Sequence, residues 1–198
     1  QQEKFNEMSK WSKEQWANSY NGSVIINIGN EVIVDKEIDN KILELKNKFN
    51  QNNSKLLVTR NDIKGLKDEL IPINSQMVTL SEKKKNLADQ YNAELLKQGL
   101  PGITEEEIAK SKAISDTLAV EITNLSSQLN EFKNQSDKIT NNIVSLNKDL
   151  QVLEVETSEL AGQITKLNDD LQNIIDIKAD LAISEAKKEN IIIEEEII

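Results

Sequence analysis

The chain has 198 residues, a formal net charge of -10, no Cys and no His. That removes disulfide frameworks, thiol nucleophiles, imidazole bases and most zinc or transition-metal sites, and the acidic balance disfavours nucleic acid and membrane surfaces, which need clustered cations. With 37% hydrophobic, 29% charged and only 4% aromatic residues, a thick globular core is hard to build, whereas narrow helical seams need only periodic Leu and Ile.

In chain order, Phe5, Met8, Trp11 and Trp16 fall near helical spacing and predict a short N-terminal helix. Trp11 and Trp16, the two tryptophans, are candidate interface anchors, although local core is the favoured reading for both. Two β-branched runs follow, Ser23 to Ile28 and Glu31 to Val34, separated by Gly29-Asn30, a two-residue β-hairpin signal. Residues 1–35 thus read as a helix and a hairpin, with Asp35 placed to cap the next helix.

A first coiled-coil helix is expected over 36–98. Ile38, Ile42, Leu45, Phe49, Leu56, Ile63, Leu66, Leu70, Ile73, Met77, Leu80, Leu87 and Tyr91 recur in steps of three and four, an a/d seam interrupted by Asn52, Thr59 and Lys84. Pro72 falls on the outer face, where it kinks the helix without removing a core side chain. The segment 99–104 is the tip loop. Gly99 is suited to a left-handed C′ residue with Leu100 free to touch Leu95, Pro101 blocks continuation, Gly102 follows it in the loop, and Thr104 with Glu107 makes a capping box. Ile103 and Ile108 stand as a hydrophobic staple, and Glu105 to Glu107 suit the positive helix end.

A second helix over 105–188 repeats the pattern through Ile108, Leu118, Ile122, Leu125, Leu129, Phe132, Ile139, Ile143, Leu146, Leu150, Leu153, Leu160, Ile164, Leu167, Leu171, Ile174 and Leu181, with Ser111, Ser115, Ser136, Thr157 and Lys178 as polar seam positions. Folded back on the first, it pairs Leu80 with Ile122, Met77 with Leu125, Leu70 with Phe132, Ile63 with Ile139, Leu56 with Leu146 and Phe49 with Leu153, which centres the turn on Pro101. A shift of one heptad would move that centre by about 3.5 residues, into helix. In this register polar seam residues face apolar ones and do not stack. An antiparallel hairpin is favoured over a parallel homotrimer.

The second helix outruns the first, and the N-terminal helix is expected to cover its stripe from Leu167 to Leu181. The Ile-rich residues 189–198 read as a third β-strand or as a link to a further region. The fold class is mainly α, a long antiparallel coiled-coil hairpin with a small β element and a short N-terminal helix. The chain starts at Gln1, which suggests a processed product or a fragment.

No catalytic, cofactor or metal site is expected. Ser81 to Lys84 and Ser145 to Lys148 match Ser-x-x-Lys, but the pattern is common on a Lys- and Ser-rich helix and lacks a third group. The acidic clusters lack the alternate-residue spacing of a calcium loop. Of the Asn-x-Ser sequons, Asn21-Gly22-Ser23 lies outside the predicted helices.

Long Ile and Leu seams rich in Asn, Ser, Thr and Asp over residues 38 to 181 resemble the coiled-coil shafts of bacteriophage tail fibres and other virion proteins. The resemblance is one of composition and implies a structural role in a virion or extracellular setting, while that family's usual parallel trimer differs from the hairpin. The expected function is a spacer of two helices, about 95 Å and about 125 Å long, acting through protein partners or self-association, a trimer included. A chaperone-like or scaffold module with paired helical arms and a helical toxin component are the alternatives, and a membrane is disfavoured as a partner.

Overall fold

The computed structural model describes the backbone of residues 7–8, 10–28 and 31–197, and their side chains except at 27, 28, 32 and 190–197. Helix α1 (Lys13–Ser19) leads to strands β1 (Ile25–Ile28) and β2 (Glu31–Val34), a 3-10 turn (Asp35–Glu37), and helices α2 (Ile38–Gln98) and α3 (Glu105–Ile197). α2 and α3 pack against each other as a helical hairpin, as their matched stripes require. The chain divides into two compact units, Leu56–Val152 and Gln1–Lys55 with Leu153–Ile198.

In the unit Leu56–Val152, Leu56, Ile63, Leu118 and Leu125 are buried, and the other apolar seam residues, among them Leu70, Met77, Leu80, Ile122, Phe132, Ile139 and Leu146, are half-buried. Two helices alone cover a side chain from one direction, so partial burial is the normal state of such a seam. Pro72 is exposed within α2, which continues through it. Its ring removes one helical N–H, and facing solvent keeps the loss out of the seam.

The turn follows local chemistry in part. Thr104 Oγ1 accepts from the Glu107 N–H at 3.2 Å while Glu107 Oε2 accepts from the Thr104 N–H at 3.1 Å, so the capping box is formed. Ile103 and Ile108 are both half-buried. The left-handed residue, however, is Gly102 with φ 81°, and Gly99 is not left-handed. α2 ends instead on tight bonds from Gly99 N to Leu96 O and from Leu100 N to Lys97 O, both 3.2 Å, with Leu100 and Leu95 exposed.

The pairing register also differs from expectation. Leu80 shares a groove with Gln128 and Phe132, and Leu66 one with Asn142 and Leu146, where the expected pairing set Leu80 opposite Ile122 and Leu66 opposite Ser136. α3 is displaced along α2 by up to about one heptad. The cause lies beside the turn: the seam of α2 runs on through the polar Glu94 and Gln98, which meet Ser111 and Ser115. Polar seam positions therefore stack at this end.

In the other unit, Ile38, Ile42, Leu45, Leu167 and Ile174 form the core, with Val24, Ile26, Leu160, Ile164 and Leu171 packed on it. Ile38 at 1% and Leu167 at 0% exposure are its deepest residues. Phe49 and Leu153 are half-buried farther along the same seam. β1 and β2 pair antiparallel from Ile25 with Val34 to Ile28 with Glu31, the register of a two-residue hairpin. Gly29 and Asn30 lie outside the described residues.

Two expectations are corrected here. Residues 189–197 continue α3, so of the two readings of 189–198 the third strand is the one overturned, and among the described residues the sheet is two-stranded. Extending an existing helix needs no new nucleus, and that outweighs the β preference of Ile191 to Ile193. Leu181 is 41% exposed, because the buried stripe moves to Ala179 and Ala182.

Burial decides the mutational pattern. Leu167→Ala is expected to cost about 2–5 kcal/mol and Val78→Ala, at an exposed site, under about 0.5 kcal/mol, as read from urea unfolding midpoints. Pro72→Ala should raise stability by up to about 3 kcal/mol in the same titration.

Candidate functional site: a buried ion pair and a tryptophan clasp

Asp35 stands where β2 passes into the 3-10 turn, and its side chain is 3% exposed. Its N–H donates to Val24 O at 2.8 Å, and its Oδ1 accepts the Val24 N–H at 3.0 Å. The carboxylate thus extends the strand ladder by one rung. Oδ2 pairs with Lys178 Nζ from α3. The 3-10 turn is capped by Val34 with no side-chain bond, so the expectation that Asp35 caps the helix is corrected: the carboxylate is committed to strand and lysine.

Burial alone would raise the Asp35 pKa, but the Lys178 ammonium and the backbone N–H groups of Val24 and Lys36 outweigh it and hold the carboxyl below its usual 3.8. A carboxyl depressed in the folded state contributes stability above its unfolded pKa and loses it as the pH falls through the folded value. Lys178 keeps the three-and-four stepping of Leu171 and Ile174, a polar residue where a seam residue belongs. Its partner could be found only by asking which acid closes the β-hairpin.

Beside this pair, α3 presents a second stripe of Ile175, Ala179, Ala182 and Ala186 to α1. Trp16 and Ala17 are buried against Ala179 and Ala182, and Met8, Trp11, Tyr20 and Ile183 pack around them. The small alanines make room for an indole, and their weak hydrophobic signal hides the stripe from periodicity. Trp11 meets Trp16 edge-on, with ring centroids 5.2 Å apart at 61°. Ser12 and Gln15 form a capping box, and Lys13 reaches Asp176 at 3.4 Å. Of the two candidate interface residues, Trp16 is core and Trp11 is half-buried in the same clasp. Phe5 lies outside the described residues.

The third cluster adjoins the turn. Ser111 Oγ has its one proton between Glu94 O at 3.0 Å and Glu94 Oε2 at 2.7 Å, and Gln98 Nε2 donates to Ser111 and Ser115 Oγ, both at 3.3 Å. The Ser111 hydroxyl and then the Lys97 ammonium hold the Glu94 carboxyl below its ordinary value. Gly99, Pro101, Gly102, Thr104 and Glu107 are all exposed beyond this layer. Glu94 and Gln98 were legible as seam residues, since both continue the stepping past Tyr91.

The Ser-x-x-Lys pairs are spread along helix: Ser81 and Ser145 are exposed, while Lys84 is half-buried on the seam. Among the described residues no group of acids could hold a metal ion, and no helix is long and apolar enough to cross a membrane. Compared with family models, curated proteins and solved structures, the chain matches none.

Lys178→Met should destabilise by about 3–5 kcal/mol by stranding Asp35, and Asp35→Leu with Lys178→Met should recover most of it. The gap between wild type and Lys178→Met should shrink as the pH falls, first as the stranded carboxyl, raised by burial, protonates, and then as the wild-type carboxyl protonates below its usual 3.8. Urea titrations from pH 7 downward check both.

Proposed function

We propose that the protein is a structural and interaction part, a coiled-coil spacer or fibre component of a larger assembly such as a virion, acting through protein partners or self-association. The observation that carries this reading is where the chain spends its buried polar groups. Of the buried polar residues described, Thr157 bonds back to Leu153 O in its own helix, whereas Asp35, Ser111 and Ser115 are each bound to a different element of the same chain. These three hold one element against another. The remaining investment is in a helix of 61 residues and a helix of 93 residues joined by a thin apolar seam, an economical way to fix a distance.

The exposed leucines of the turn region favour a second reading, a binding module with paired helical arms. Leu96 is 74% and Leu100 55% exposed, and Leu95 is 43% exposed. Under that reading the purified chain delays aggregation of an unfolded client, and Leu96→Ser with Leu100→Ser removes the effect without loss of helix.

Gentle extraction from the native source, cross-linking and sizing with mass spectrometry test the spacer. It predicts a stoichiometric component of a large particle. Recovery as a free monomer with no stoichiometric partner contradicts it.

A further inference from the structure

The linker between α1 and β1 carries a chemistry that the helices suppress. Asn21 is exposed, outside helix and strand, and is followed by Gly22, the one Asn-Gly step in the chain. Among the described residues the Gly22 N–H donates no hydrogen bond. The steps Asn53-Ser54 and Asn74-Ser75 lie inside α2, where the N–H of the second residue belongs to the helical ladder. A β-carbon at Gly22 would overlap the far end of the Tyr20 ring, so a larger residue there would need that ring to move. With no β-carbon of its own, Gly22 presents its nitrogen next to an exposed amide.

We infer that Asn21-Gly22 is a self-modification site that converts Asn21 to aspartate or isoaspartate using only water. The Gly22 backbone nitrogen gives its proton to solvent and attacks Asn21 Cγ. A C–N bond forms, the Cγ–Nδ2 bond breaks, and the side-chain nitrogen leaves as ammonia with a proton from solvent. Water then adds to either carbonyl of the five-membered imide and opens it. Attack at the side-chain carbonyl restores the normal backbone, and attack at the backbone carbonyl routes the chain through the former side chain. Nothing is oxidised or reduced. Both products add a negative charge, and isoaspartate also lengthens by one carbon the linker between the tryptophan clasp and the sheet.

The test uses the full chain, incubated folded at neutral to mildly alkaline pH and sampled over weeks by peptide mapping with fragmentation that separates the isomers. The amide-to-acid mass shift should appear at Asn21 before any other asparagine, with isoaspartate present and one ammonia released per event. Asn21→Gln, which would have to close a larger ring, should lose the shift while keeping the same circular dichroism. The inference is overturned if Asn21 stays intact while other asparagines react, or if it reacts only in the urea-unfolded chain.

Discussion

The apolar face of α3 is the surface against which α2, the segment around β1 and α1 are laid. α2 packs along it as the other arm of the hairpin, Val24 and Ile26 of the hairpin segment cover the core around Leu167 and Ile174, and α1 docks on Ala179 and Ala182. With so few aromatic side chains the protein has no thick core to fall back on. Its stability is the sum of many small burials along one helix, each about 1.5–3 kcal/mol at most when complete.

A uniform stripe of Leu and Ile would hold two helices together in several registers of similar energy, and the polar groups remove that ambiguity. Next to the turn, Ser111 and Ser115 are matched to Glu94 and Gln98, a pairing that a slip of one heptad would break. At the β-hairpin, Lys178 reaches Asp35, the one buried carboxylate among the described residues. Such pairs add little net stability over apolar substitutes, but a misplaced partner leaves a buried charge exposed to the full desolvation cost. They select an arrangement more than they strengthen it.

Much of this is legible in sequence, and the rest is hidden for several distinct physical reasons. Steps of three and four from Ile38 to Tyr91 and from Ile108 to Ile174 marked the seam, and Thr104 with Glu107 marked the start of α3, because each signal is local and chemically specific. Glu94 and Gln98 are polar, so a seam read from apolar residues passes over them and centres the turn on Pro101. The stripe of Ala179, Ala182 and Ala186 is faint in the sequence because alanine carries little hydrophobic weight, although its smallness is what accepts Trp16. The Asp35–Lys178 pair joins residues distant in sequence, and no spacing rule reaches that far. Residues 191–197 failed for another reason: a local β preference was set against the cooperativity of a helix already 86 residues along at Asn190, the count following from its start at Glu105.

Spacer and arm are both uses of the same construction, a helix pair whose register is fixed by a few polar contacts. The register itself is the central claim. Paired spin labels on the exposed positions 71 and 138, and separately on 71 and 131, measure it by double electron–electron resonance in a chain with no native cysteine. The account predicts the shorter distance for Ile71→Cys with Lys138→Cys. A shorter distance for Ile71→Cys with Glu131→Cys, or a dipolar signal arising only between separate molecules, would contradict it.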